Sequence, residues 1–118
     1  MASWMNKALE KARLPIAIDV TDIGLEDENG KAVQELVCVP LSMGEYQVLK
    51  AEPEIAKLKG TDRDELLGIR MTFEMLAKAD ESLRWSDYKN LPIQTLTSLA
   101  GKIAGVIGGE TSGVLGES

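Results

Sequence analysis

The chain has no histidine and a single cysteine, Cys38, in 118 residues. The first absence removes the commonest general base, the commonest metal ligand and every Ser-His or Cys-His nucleophile pair. Together the two shortages exclude tetrahedral zinc sites and thiolate-held iron–sulfur clusters. A lone cysteine makes no internal disulfide. Cys38 lies in the apolar run Leu36-Val37-Cys38-Val39, which places it as a small buried hydrophobe in a reducing compartment. Aromatics are scarce too, with two Trp, two Tyr and one Phe. The core must therefore be built from Leu, Ile, Val, Met and Ala.

Positive charge is also short. Thirteen Lys and Arg face nineteen Asp and Glu, for a formal net charge of -6. A nucleic-acid binder needs clustered cations to displace counterions from phosphates. Here the densest basic stretch, Lys57, Lys59 and Arg63, is answered by Asp62, Asp64 and Glu65. Neither nucleic acid nor an anionic membrane is an expected partner. No apolar run approaches the roughly 20 residues that a membrane span needs. The start, Met-Ala-Ser-Trp-Met-Asn-Lys, has no continuous apolar stretch, so no signal peptide is expected and the cytoplasm is the expected location.

What is present reads as one globular domain. Ser3 is placed to cap a first helix running to about Arg13, with Trp4, Met5, Ala8, Leu9 and Ala12 on one stripe. Pro15 stops it. Ile16, Ile18 and Val20 alternate with Ala17, Asp19 and Thr21 as in a strand. The alternation shifts near Asp22, where a bulge or a strand end is expected. Asn29-Gly30, two residues that tolerate positive φ, mark a hairpin turn, and Val33 to Val39 is the return strand. Ser42-Met43-Gly44-Glu45 is a capping box that starts a helix carrying Tyr46 and Leu49. Pro53 interrupts that helix and Gly60 ends a further turn.

Thr61 then opens the clearest helix, with Leu66, Ile69, Phe73, Leu76 and Ala77 on one face. Ser86 is placed to cap a short turn through Lys89. Pro92 suits the first turn of a last helix carrying Ile93, Leu96, Leu99, Ala100, Ile103 and Ile107. Phe73, Leu76, Leu96 and Leu99 are expected to be buried together. The predicted fold is α+β: a mainly helical domain over residues 1–107 with an N-terminal helix and a small antiparallel hairpin. Residues 108–118 are predicted to be a flexible glycine-rich tail.

Carboxylates alone carry little chemistry here. Asp62, Asp64 and Glu65 read as a helix start complementing its dipole rather than as a metal cluster. Leu25-Glu26-Asp27-Glu28-Asn29-Gly30 resembles half of a calcium loop but has Leu25 and Leu36 at its first and twelfth positions. Gly101, Gly105 and Gly109 are spaced as in GxxxG, which outside a membrane reads as close helix packing followed by fraying. No catalytic, cofactor-binding or metal site is expected, and the chain is read as non-enzymatic. The large side chains are the candidates for protein binding: Trp4, Met5, Leu9, Tyr46 and Tyr88. Trp85, between two helices, is expected in the core. The Trp4 helix packs either on its own domain or on a neighbour.

The order of elements resembles a family. A short β segment ends in Val39-Pro40-Leu41-Ser42-Met43-Gly44-Glu45-Tyr46, and a longer helix follows from Leu66 to Lys78. Then come Ala79-Asp80-Glu81-Ser82-Leu83-Arg84-Trp85-Ser86-Asp87-Tyr88 and the leucine-proline helix start Leu91-Pro92-Ile93-Gln94-Thr95-Leu96. This resembles the tail assembly chaperones of long-tailed bacteriophages over roughly residues 35–104. The resemblance implies a short-form chaperone in the host cytoplasm that coats the tape measure protein, self-associates into oligomers, and gives way to the tail tube protein. It also implies a possible longer frameshifted form that binds tail tube protein. The competing readings are a structural virion component such as a head–tail joining or minor tail protein, a carboxylate-only hydrolase, and a regulatory adaptor.

Overall fold

Pro15 separates the first helix from the sheet, and the chain's architecture follows from what that break leaves on either side. The computed structural model describes residues 2–115, with side-chain surroundings through Val106. Helix α1 spans Ser3–Ala12. Its cap is Ala2, with no side-chain hydrogen bond, so Ser3 lies inside the helix instead of capping it. Strand β1, Ile16–Asp19, pairs antiparallel with β2, Glu35–Cys38, in the register Ile16 to Cys38 and Ile18 to Leu36. The alternation read from the sequence therefore survives, although both strands are shorter than expected. The parity shift near Asp22 is a strand end: Thr21–Ile23 form a 3₁₀ turn, and Asp19 Oδ1 accepts from the Thr21 N–H and hydroxyl.

The hairpin closes at Asn29-Gly30, but only Gly30 takes positive φ, at 78°. Asp27 explains why Asn29 need not. Its Oδ1 accepts from the backbone N–H groups of Asn29 and Lys31, at 2.8 and 3.0 Å, and its carbonyl accepts from the Gly30 N–H. One carboxylate thus holds a turn with a single left-handed residue, the arrangement of a three-residue hairpin loop.

The helical part begins at α2, Met43–Lys50. The capping box is present in full: Glu45 N–H donates to Ser42 Oγ at 3.1 Å, and Ser42 N–H donates to Glu45 Oε1 at 2.8 Å. Pro53 ends this run as expected and sits in the first turn of α3, Pro53–Ala56, where its missing N–H costs nothing. Gly60, at φ 61°, then turns the chain into α4, Gly60–Ala79. After it come α5, Trp85–Tyr88, and α6, Ile93–Leu115. Arg84 caps α5 without a side-chain bond, so Ser86 is not a cap either. The last helix was expected to end near Ile107. Its backbone is helical to Leu115. Of the expected tail, residues 116–118 lie outside the described residues.

The result is a mainly helical α+β fold with one two-stranded sheet among the described residues. Its larger core gathers Ile18, Val20 and Cys38 from the sheet region, Ile69, Phe73, Met75 and Leu76 from α4, Tyr88 from α5, and Leu96, Leu99 and Ile103 from α6. The four residues expected to be buried together are all in it. A smaller core joins Leu49, Ile55 and Leu67. Helix α4 contributes to both, which is why its buried set is wider than one stripe and includes Thr72, whose hydroxyl donates to the Gly68 carbonyl.

Two outcomes follow. Leu96→Ala should cost about 2–5 kcal/mol, the usual range for a buried leucine, measured by denaturant unfolding. The second concerns acid. The ammonium of Lys78, which donates to Glu45 Oε1 at 2.7 Å, together with the cap bonds to Ser42, holds the Glu45 carboxyl below its ordinary value. A depressed folded value means that the stabilisation is fully present above about pH 4.3, the unperturbed glutamate value, and is lost as pH falls through the lowered one. Glu45→Gln should flatten that part of the acid limb of a stability-against-pH curve.

Candidate binding surface

The connection from β2 to α2 is fixed against α4. The Val39 N–H donates to the Met75 carbonyl at 3.0 Å, and Lys78 Nζ donates to the Pro40 carbonyl at 2.9 Å. These bonds carry Leu41, Met43 and Tyr46 to the edge of an open apolar groove of about 760 Å³ between this segment, α4 and α6. Met71 and Met75 line it from α4, and Gly101 and Ala104 line it from α6. Methionine is unbranched and polarizable, so a surface of this kind adapts to differently shaped apolar partners. Of its hydroxyls, Ser42 Oγ accepts from the Glu45 N–H in the cap and Thr72 donates to the Gly68 carbonyl, while Tyr46 adds a third.

Glycine determines how open the groove is. A Cβ added at Gly68, Gly101 or Gly105 would meet nothing within 4 Å. The expected close helix packing at Gly101 and Gly105 is therefore corrected: these positions face open space. The small residues of α6 were visible in the sequence, but what they face depends on a helix pairing that spacing alone does not define.

A second hollow of about 490 Å³ lies between α2 and α4, beside Glu45, Glu52, Glu74 and Lys78. Its charges are matched internally. Lys78 meets Glu45 at 2.7 Å, and Arg70 reaches Glu52 at 2.7 Å and Glu74 at 3.3 Å.

The five candidate binding residues separate into three settings. Trp4, Met5 and Leu9 lie on α1, which buries none of its residues, and Trp4 is 68 % exposed. Tyr46 is half-buried at the groove, with the Lys50 ammonium 5.4 Å from its ring centre. Tyr88 is a core residue, only 7 % exposed, and the reading of it as a surface contact is corrected. Its ring lies 5.2 Å from that of Phe73 and 6.1 Å from that of Trp85. With one phenylalanine in the chain, the core has to recruit Tyr88 and the half-buried Trp85 to fill the space around Phe73. Burial pushes the Tyr88 phenol up to about 12 and also raises the Cys38 thiol. A fully buried thiol held protonated is a poor nucleophile.

Reasoning from the sequence missed Leu41, Met43, Met71, Met75, Gly101 and Ala104 as a shared surface. No single helix shows the pattern, because the groove takes a few residues from each of three segments. Among the described residues no group of three or more potential metal ligands converges, and no helix is long and apolar enough to cross a membrane. Comparison with protein-family models, with curated proteins and with solved structures finds no match for this chain.

Surface and core roles separate experimentally. Trp4→Ala should change the stability of the dilute monomer by less than about 0.5 kcal/mol, as for surface substitutions generally. Tyr88→Ala should cost about 3–5 kcal/mol, as for other buried aromatic side chains. Chemical denaturation of the two variants beside the parent chain checks both.

Proposed function

We propose that the chain is a non-enzymatic binding protein, a tail assembly chaperone that covers the tape measure protein of a long-tailed phage and associates with further copies of itself. One observation carries the reading: apolar surface that the chain's own fold leaves uncovered, gathered in the α1 stripe and in the groove beside α4. Amphipathic helices are recognised by apolar grooves through anchors at helical spacing. A long helical client with repeated apolar faces offers such anchors many times over.

Two further features support the assignment. The groove's lining carries no acidic or basic side chain, so its chemistry is apolar contact. The formal net charge of -6 keeps unassembled copies apart, as an assembly factor present in many copies requires. In this reading the chain acts in the host cytoplasm, gives way to tail tube protein as the tube grows, and has a longer frameshifted form that contacts the tube. Three of the segments within the resemblance, Pro40 to Tyr46, α4 and the middle of α6, also line the groove.

Co-expression with a candidate tape measure protein tests the reading. The client should become soluble and co-purify with this chain, and the chain should be absent from finished virions. A client that stays insoluble would count against a chaperone. The chain at high copy in virions would assign it instead as a structural component, such as a head–tail joining or minor tail protein.

A further inference from the structure

The first helix poses a problem that the rest of the fold does not solve. It has ten residues, carries Trp4, Met5, Ala8, Leu9 and Ala12 on one side, and buries none of them. A helix this short is marginal in water on its own. It needs an apolar partner, and its own domain, as folded here, supplies none. The groove beside α4 has the complementary character, an open and mainly apolar trough. The two match in length. The stripe from Trp4 to Ala12 rises about 12 Å, and the stretch of α4 from Gly68 to Met75 rises about 10 Å, at 1.5 Å per residue.

Charge says what fills the trough. Residues 1–14 hold Lys7, Lys11 and Arg13 against Glu10, a net charge of +2 in a chain of formal charge -6, which leaves -8 on residues 15–118. The basic side chains flank the apolar stripe. At one end of the groove, a turn before Gly68 on the same side of α4, stand the exposed carboxylates Asp64 and Glu65. A basic amphipathic helix thus meets an apolar trough with an acidic end. The hinge says whose helix it is. Only Arg13 and Leu14 separate α1 from Pro15. Proline fixes its own φ and holds the preceding residue extended. So short and stiff a link directs α1 away from its own body, the condition under which an element is exchanged between copies.

We infer that α1 of a second copy occupies the groove formed by the 40–46 segment, α4 and α6. Trp4 and Leu9 are its anchors, and Lys7 and Lys11 approach Asp64 and Glu65. The inference rests on the self-association in the proposed function but makes no use of the client. Its test contains no tape measure protein, so either idea can fail without the other.

The test uses full-length chains and light-scattering mass after gel filtration. The parent chain should run at twice the chain mass or more at tens of micromolar, and less so as NaCl is raised, since exposed charge pairs are screened. Trp4→Glu with Leu9→Glu removes the stripe and should give monomers. Gly101→Leu fills the groove, where a Cβ meets nothing within 4 Å, and should also give monomers that melt no earlier than the parent. Mixed together, the two monomers should recover a one-to-one complex, since one retains the groove and the other the helix. Met43→Glu, at a groove residue 70 % exposed, repeats the blocking test without touching the core, should Gly101→Leu melt early. A parent chain that stays monomeric at every concentration, its α1 lying in its own groove, overturns the inference. So do oligomers that persist in the stripe variant or in both groove variants, and so does a mixture that fails to recombine.

Discussion

The guanidinium of Arg70 joins the two cores. It is 11 % exposed and reaches both oxygens of Glu52, at 2.7 and 3.1 Å, as well as Glu54 at 3.1 Å and Glu74 at 3.3 Å. Its carbon centre lies 4.7 Å from the centre of the Trp85 ring. That ring lies against Phe73, the larger core's only phenylalanine. Helix α3 has four residues, too few to persist without tertiary contacts. What holds it is Ile55 beneath and the pairs from Glu52 and Glu54 to Arg70 above. An arginine suits this place and a lysine would not, because one planar fork grips a carboxylate with two donors while its face lies on an aromatic ring. With three carboxylates around it, the guanidinium keeps partners if any one of them is lost, whereas losing Arg70 itself would leave Glu52, Glu54 and Glu74 facing one another.

That arrangement has a consequence for the groove. With the smaller core and Arg70 holding α2 and α3 on one flank of α4, and the sheet with α6 held on another, α4 cannot close its remaining side. Thr72 and Met75 are buried, yet Leu41, Met43 and Met71 are left bordering a gap that α6 meets with glycine and alanine. A larger residue at Gly101 would fill that gap and gain helix propensity as well. The trough is therefore space that the chain could have filled at low energetic cost but leaves open.

Local rules made much of this fold legible. The Ser42–Glu45 capping box, the Pro15 and Pro53 breaks, the alternation of Ile16 and Ile18, and the stripe through Ile69, Phe73 and Leu76 are each specified by residues within a few positions. They appear where the sequence places them. The failures share a different cause. Ser3 and Ser86 are good capping residues, but the chain enters the first helix one residue earlier, at Ala2, and the other two residues earlier, at Arg84. Asn29 tolerates positive φ, but Asp27 bonds the loop so that only Gly30 needs it. Tyr88 looks like a surface anchor until the shortage of aromatics around Phe73 is seen in three dimensions. The groove was the least legible feature, since its residues come from segments up to about sixty positions apart and none is unusual in its own helix.

The distribution of charge connects these pieces. A uniformly acidic chain would repel its own copies at every approach. Here the cations of residues 1–14 sit on the one helix that the fold leaves uncovered, while the other elements carry the excess of carboxylates. In the proposed contact, repulsion between bodies and attraction between one copy's first helix and the next copy's body would act together, selecting a single mode of contact and disfavouring disordered clustering. Association through a ten-residue helix would bury little area and so stay reversible. If each copy gives its helix to a different neighbour, the contact is head-to-tail and does not need to close on itself. An open string of reversible contacts can lengthen along an extended client and be dismantled one copy at a time as something else takes its place. A closed pair would have to dissociate entirely before either copy could be replaced.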